Sequence, residues 1–326
     1  GARTSLSVDL LGNYDVQFFG DGSDGALQFD GIANPIAGAT LSGSTYTLTR
    51  DIYATTFIVD VSVIVNTGNY RIFASTSLTN NGTITRTGLT ASNASGATKG
   101  NAGVATGAGS MAANVVAQDG TNGTVSGATG SVSQASSSHY MGGDSAAGGL
   151  GGAGSGGTSG TNSYTAPSGK AKTRALTVLP VGLSSGVPVA VTAGIGGNGG
   201  NGGGGDTSNA GGGGGGGGAG GGWVIIGTKT LTNNSSITAN GGNGGNGANG
   251  VAGNTGGGGG GSGGGGGVVW LMYRTLAATG VITADGGTKG TKGNGVGSGA
   301  NGFDGTDGSA GKVYKWDIAA GTVTIS

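Results

Sequence analysis

The side chains that carry most protein chemistry are nearly missing from this protein. It has no cysteine and a single histidine, His139, and its 14 acidic residues are all aspartate. Without a thiol there is neither a thiolate nucleophile nor a disulfide framework. One histidine with no cysteine also falls short of a zinc site. His139 lies in Ser136-Ser137-Ser138-His139-Tyr140, inside a low-complexity tract, whereas the base of a catalytic triad needs a third group to orient it. Close carboxylate pairs remain, Asp21 with Asp24 and Asp304 with Asp307. Both pairs sit in glycine-rich turns, DGSDG and DGTDG, where aspartate is favoured for turn formation alone. The functional alternative is a weak Ca²⁺ site made from these oxygens and nearby carbonyls. No EF-hand loop is complete, and no glutamate is present to close one. The same pairs are poor candidates for the two carboxylates of a glycosidase. Matches to GxGxxG arise by chance in glycine tracts and lack a βαβ context. Asn-x-Ser/Thr triplets occur at Asn81, Asn93, Asn122 and Asn234 among others, and they are sugar acceptors only in a glycosylating host. The inventory points away from an enzyme and from any cofactor other than Ca²⁺.

Composition bounds the partners as well. Lys and Arg number 14, so the net charge is zero, which gives no electrostatic reason to expect nucleic acid or an anionic membrane. The apolar runs are too short to insert across a bilayer. From Gly1 onward no basic and apolar leader is visible, an absence equally at home in a virion protein released by lysis and in a processed secreted one. Glycine contributes 85 of 326 residues, and glycine loses more backbone entropy on ordering than any other residue. Disorder is the simplest reading of such a composition. Against it, the glycines fall in blocks separated by β-prone apolar segments that resemble one another.

Those segments divide the protein into three regions. Residues 1–86 read as an N-terminal β region, with period-two alternation at Ser5–Leu11 and Tyr14–Phe19, a further strand at Ala26–Phe29, and the strongest β material at 46–86. Residues 87–170 are a Ser/Thr/Ala/Gly tract with few apolar anchors. Residues 171–326 open with a strand pair at Arg174–Leu179 and Val187–Thr192 and continue as repeated strand units alternating with glycine blocks. The repeat is visible in YRIFASTSLTNNGTITR (70–86), WVIIGTKTLTNNSSITA (223–239) and WLMYRTLAATGVITA (270–284). Each carries a leucine followed six residues later by isoleucine, at Leu78/Ile84, Leu231/Ile237 and Leu276/Ile282. A unit of strand, Asn/Ala/Gly corner and second strand cannot bury its apolar face alone, so stacking is expected. Aromatics near the start of each unit (Tyr70, Trp223, Trp270, Tyr314 or Trp316) are expected to form a ladder, serving the core rather than a ligand.

Between units lie Gly194–Gly222, Gly241–Gly267 and Gly286–Gly311. The middle block holds 18 glycines in 27 residues and contains Gly-Gly-Asn-Gly-Gly-Asn. That period matches the three residues per turn of a polyproline-II-type helix, which has no internal hydrogen bonds. Segments without Cβ atoms can pack closely and bond laterally, which would satisfy their backbones. Such a block reaches about 40 Å as an out-and-back excursion, so three excursions would make a bundle projecting from a β core. The expected fold class is thus all-β, a β-solenoid or sandwich-like stack of strand units with polyglycine-II excursions and essentially no α-helix.

The stretches VPVAVTAGIGGNGGNGGGGD, GGGGGGGGAGGGWVII and FGDGSDGALQFDG resemble the glycine-rich domains of phage tail-fibre and host-recognition proteins. The resemblance covers roughly 20–85 and 185–326. It implies stacked polyglycine-II helices whose connecting loops contact a host receptor, although long strand units between the blocks depart from the tip-adhesin pattern. Its expected partners are copies of this protein, other fibre proteins or a bacterial cell-surface receptor, with no nucleic acid and no membrane insertion. The location it implies is a virion surface or the extracellular space. Two other functions compete. One is a self-assembling filament subunit templated by open β edges. The other, more distant, is an ice-binding face, for which regular threonine arrays are not evident.

Overall fold

The computed structural model describes residues 15–32, 36–104, 107, 109–112, 116–125, 141–144, 147–155 and 193–326. The pairs expected at Arg174–Leu179 and Val187–Thr192, the strand at Ser5–Leu11 and His139 lie outside the described residues. Within them, segments rich in Val, Ile, Thr and aromatic residues form β1 (Ala26–Phe29), β2 (Ala39–Ser42), β3 (Thr45–Leu48), β4 (Ile52–Val59), β5 (Ile64–Asn66), β6 (Arg71–Asn80), β7 (Thr83–Thr85), β8 (Trp223–Asn233), β9 (Ser236–Thr238), β10 (Val268–Ala278), β11 (Val281–Thr283), β12 (Lys312–Asp317) and β13 (Thr322–Ile325). One sheet has seven strands in the order β1-β4-β6-β8-β10-β12-β13, and the other has six in the order β11-β9-β7-β5-β3-β2. Neighbours are parallel except at β12–β13 and β2–β3, which are antiparallel.

This corrects the expected fold class. The described residues are not an all-β solenoid or sandwich: they form two mostly parallel sheets of seven and six strands, together with a short helix at 15–19. Alternation at 14–19 suggests a strand there, but Val16, Phe18 and Phe19 are also compatible with one helical turn. That turn is held by Asp15, whose carboxylate pairs with Arg274 and, at 3.2 Å, with Lys229. The pairing of strands departs from expectation for a different reason. Strand–corner–strand patterns specify faces but not direction. After each long strand the backbone crosses into a short strand of the other sheet and returns to the same end, through 67–70 between β5 and β6 and through glycine excursions after β7, β9 and β11, so that successive long strands run parallel.

The long strands β4, β6, β8, β10 and β12 share one sheet, and the short β5, β7, β9 and β11 share the other. The leucines and isoleucines of the repeat stand in register, Leu78 beside Leu231 beside Leu276 and Ile84 beside Ile237 beside Ile282. They fill the core between the sheets with Phe29, Tyr46, Phe57, Val224, Ile226 and Leu271. A second apolar layer covers the outer face of the seven-stranded sheet. There Trp223, Ile225, Trp270, Met272 and Tyr314 pack beneath Phe18, Phe19, Met111 and Met141. Burial on both faces explains why WVII and VVWLMY read as unbroken apolar runs. The aromatic ladder is only partly formed. Trp270 stacks on Tyr314 with centroids 5.0 Å apart, but Trp223 stands beside Val268, offset from Trp270. Asn80 and Asn233 are fully buried at successive corners, where Asn80 donates to Asn233 at 2.7 Å and Asn233 donates onward to the Thr279 carbonyl.

The glycine blocks form a hydrogen-bonded array beyond one end of the sheets. Segment 211–222 shows how it is organised. Its N–H groups take three acceptor segments in rotation: Gly212, Gly215 and Gly218 donate to 256–262, Gly213, Gly216 and Ala219 to 89–96, and Gly214 and Gly217 to 118–121. Its carbonyls accept from 100–103, 194–203 and 242–248. Segment 256–267 is surrounded likewise, donating to 195–204, 239–248 and 300–309 and accepting from 143–152, 212–221 and 287–293. Six lateral neighbours and a three-residue period fit an extended helix of three residues per turn, which bonds only sideways. A Cβ at Gly214 or Gly261 would lie within 3.0 Å of a neighbouring backbone carbonyl, a contact real Cβ atoms do not make. The two central segments therefore carry one non-glycine each, Ala219 and Ser262. Lateral hydrogen bonds here offset the entropy that ordering glycine costs.

Candidate functional site

At its periphery the array substitutes side chains for missing neighbours. Asn243, Asn246 and Asn249 accept the N–H groups of Thr288, Thr291 and Asn294 at 2.8–2.9 Å through Oδ1. Asp307 and Asp304 accept those of Lys289 and Lys292 at 2.7 and 2.9 Å. Asp119 and Asn122 do the same for Ala102 and Lys99. An exposed Asn or Asp recurring at every third position is thus a backbone mimic on an outer segment, whereas Asn198 and Asn201, at the same spacing, are buried inside the array.

This accounts for one of the two carboxylate pairs that are Ca²⁺ candidates by sequence. Asp304 and Asp307 face segment 286–294, and Asp304 also lies 3.6 Å from the Lys289 ammonium. The backbone N–H of Lys292, foremost, holds the Asp304 carboxyl below its ordinary range. Asp21 and Asp24 lie elsewhere, near the start of β1. Asp24 pairs with Arg50 at 2.6 Å and accepts from the Tyr53 N–H at 2.7 Å, and the Arg50 hydrogen bond chiefly depresses its carboxyl. Asp21 accepts from the Ser23 N–H at 3.0 Å. Among the described residues no three His, Cys, Asp or Glu side chains gather as a metal-binding group. Of the glycosylation triplets, Asn81 and Asn234 are bonded to each other at 2.8 Å, and Asn93 accepts from the Asn246 N–H.

What the array brings together is its own turns. Segments leave the sheets, reverse at 95–98, 206–210, 251–255 and 295–299, and return. These turns meet at the end away from the sheets, with 124–125 and 153–155 beside them. Asp206 is the hub: it accepts from the N–H groups of Asn254 at 3.0 Å, Ser208 at 2.9 Å and Asn209 at 2.7 Å. Those donors, Asn254 first, place its carboxyl far below the normal range. Asn254 links two more segments, accepting from Ser298 N–H at Oδ1 and from Ser155 N–H at its carbonyl, both at 2.9 Å. Gly123 and Gly213 donate to the Ala97 and Gly96 carbonyls at 2.8 Å, tying in the turn at 95–98. Asp206 is the one charged residue of these turns, and it is already saturated with donors. The rest of the surface offers Thr, Ser and Asn polar groups around Val125 and Val251, exposed at 49% and 52%. Among the described residues this face offers shape, hydrogen bonds and small apolar contacts rather than charge. The sequence contained a usable signal for it: Asp206-Thr207-Ser208-Asn209 between two glycine runs is turn chemistry.

No protein-family model, curated protein or solved structure matches this protein. No helix among the described residues is long and apolar enough to cross a membrane.

Proposed function

We propose that this protein is a structural or host-binding component of a phage tail fibre, presenting the distal turns of its glycine array to a bacterial cell-surface receptor. The observation that carries the reading is the gathering of turns 95–98, 206–210, 251–255 and 295–299 at one end of an array whose interior tolerates almost nothing but glycine. In such a design the scaffold is fixed by lateral bonding, while turn residues are free to vary with the partner. Neutral charge fits a contact made at short range without electrostatic steering. Immunogold electron microscopy of the native source tests it: label at the distal fibres of virions supports the reading, and continuous label along filaments free of virions overturns it.

One observation favours a second reading, a self-assembling extracellular filament. Among the described residues β1 and β11 end their sheets as parallel strands with no further strand beside them, and Val281 on β11 is 57% exposed. Open edges of this kind template further strands. Ordered fibres grown from the purified protein alone would support that reading over the first.

A further inference from the structure

Ten Asn-Gly dipeptides occur in the sequence. At such a pair the glycine N attacks the asparagine Cγ, a new C–N bond forms, and the bond from Cγ to Nδ2 breaks with release of ammonia. Water then opens the succinimide to aspartate or isoaspartate. Two restraints slow the reaction: an amide side chain tied down by hydrogen bonds so that it cannot swing onto the backbone, and a following N–H that is already donating.

Exposure does not separate the sites, because Asn243, Asn246, Asn249, Asn294 and Asn301 are all exposed. Hydrogen bonding does. Gly244, Gly247 and Gly250 donate to the carbonyls of Thr288, Thr291 and Asn294 at 2.8 Å, while the preceding asparagine amides are fixed on N–H groups of the same segment. Asn301 is fixed by the Gly295 N–H at 2.9 Å, and Gly302 donates to the Gly293 carbonyl at 3.0 Å. Asn122 and Asn240 are held in the same double fashion. Asn294 breaks the pattern. Its amide group makes no hydrogen bond among the described residues, and the Gly295 N–H after it donates only to the Asn301 Oδ1, at the mouth of the turn 295–299.

We infer that Asn294 is the primary deamidation site of the glycine array, and that the array holds its other solvent-exposed Asn-Gly pairs inert through lateral hydrogen bonds. Isoaspartate adds a methylene to the backbone. Inside the array that would break the three-residue register, but at Asn294 it falls where a segment is already turning, and it adds negative charge beside the distal face. The inference is independent of the fibre reading. It concerns how long the array stays chemically intact.

The test is to age the intact protein in mildly alkaline buffer and follow each Asn-Gly peptide by mass spectrometry, folded and in concentrated urea. In the folded protein Asn294 should convert at least about tenfold faster than Asn243 or Asn246, the factor that ~1.4 kcal/mol of local opening imposes. In urea the three rates should converge. Asn301→Ala, which frees the Gly295 N–H, should speed conversion at Asn294 and leave Asn243 unchanged. Similar rates at all three sites in the folded protein, or an Asn294 that converts more slowly than Asn243, would overturn the inference. So would an Asn294 rate that Asn301→Ala leaves unmoved.

Discussion

The sheets and the glycine array solve the same problem, satisfying a buried backbone, with opposite means. In the sheets, side chains set the register and the backbone follows: Leu231 sits between Leu78 and Leu276 because the apolar face must be buried. In the array, backbones bond directly to six neighbours and side chains must be absent. The sheets should therefore tolerate changes of side-chain size by degrees, whereas the centre of the array should fail at once. Gly258→Val with Gly261→Val drives two Cβ atoms into carbonyls of segment 211–222, and no side-chain rotation relieves that contact. The expected cost exceeds ~4 kcal/mol, seen as loss of a cooperative melt by circular dichroism. The control is Thr291→Val on the exposed rim of the same array, which should melt like the parent. If the double variant melts normally, the close-packed description of the array is wrong.

A graded response is the corresponding expectation for the sheets. Leu231→Ala removes a fully buried side chain between two in-register leucines and should cost about 2–5 kcal/mol in urea unfolding. Leu276→Ala, at a partly buried position of the same row, should cost less. Equal costs would mean that the row does not act as a single packed core.

The two regions also differ in how far the sequence disclosed them. The strand units are legible because apolar side chains recur, and the six-residue Leu–Ile spacing picks out residues that pair across strands. Their direction is not, since Trp223 or Leu231 looks the same in a parallel or an antiparallel neighbour. In the array the three-residue period is readable from Gly-Gly-Asn-Gly-Gly-Asn, but the neighbours of each segment are not, because glycine carries no mark of what it touches. The marks lie on the rim, where Asn246 and Asp304 stand in for absent backbones. Without that rule, Asp304 and Asp307 look like ion ligands. The distal face is reachable only through its turn residues, and Asp206 does not stand out because a lone aspartate in a turn carries no functional pattern.

If rim asparagines are backbone mimics, their loss should be local and modest. Asn246→Ala removes one acceptor from the Thr291 N–H, while the Gly247-to-Thr291 bond is kept. The expected destabilisation is about 1 kcal/mol, with faster hydrogen exchange at Thr291 and little change at Gly261 in the array's centre. Equal acceleration at both amides would show that rim and centre open together, and the distinction between them would collapse into one cooperative unit.

The smallest effect expected is that of acid on the rim. Asp304 and Asp119 are held below the ordinary carboxylate value of 3.8, each chiefly by a backbone N–H, from Lys292 and Ala102. A carboxyl whose folded value is depressed contributes stability that is complete above the unfolded value and is lost as pH falls through the folded one. The rim should therefore loosen only below about pH 4, and the glycine centre, which has nothing to titrate, should not respond. Asp304→Asn separates charge from geometry. The amide keeps an oxygen for the Lys292 N–H but gives up the Lys289 ion pair, which as an exposed pair is worth roughly 0–1 kcal/mol. Stability near neutral pH should change little, while the part of the acid response due to this site disappears. If Asp304→Asn instead destabilises as much as Asp304→Ala, the charge matters more than the acceptor, and asparagine and aspartate are not equivalent backbone mimics on this rim.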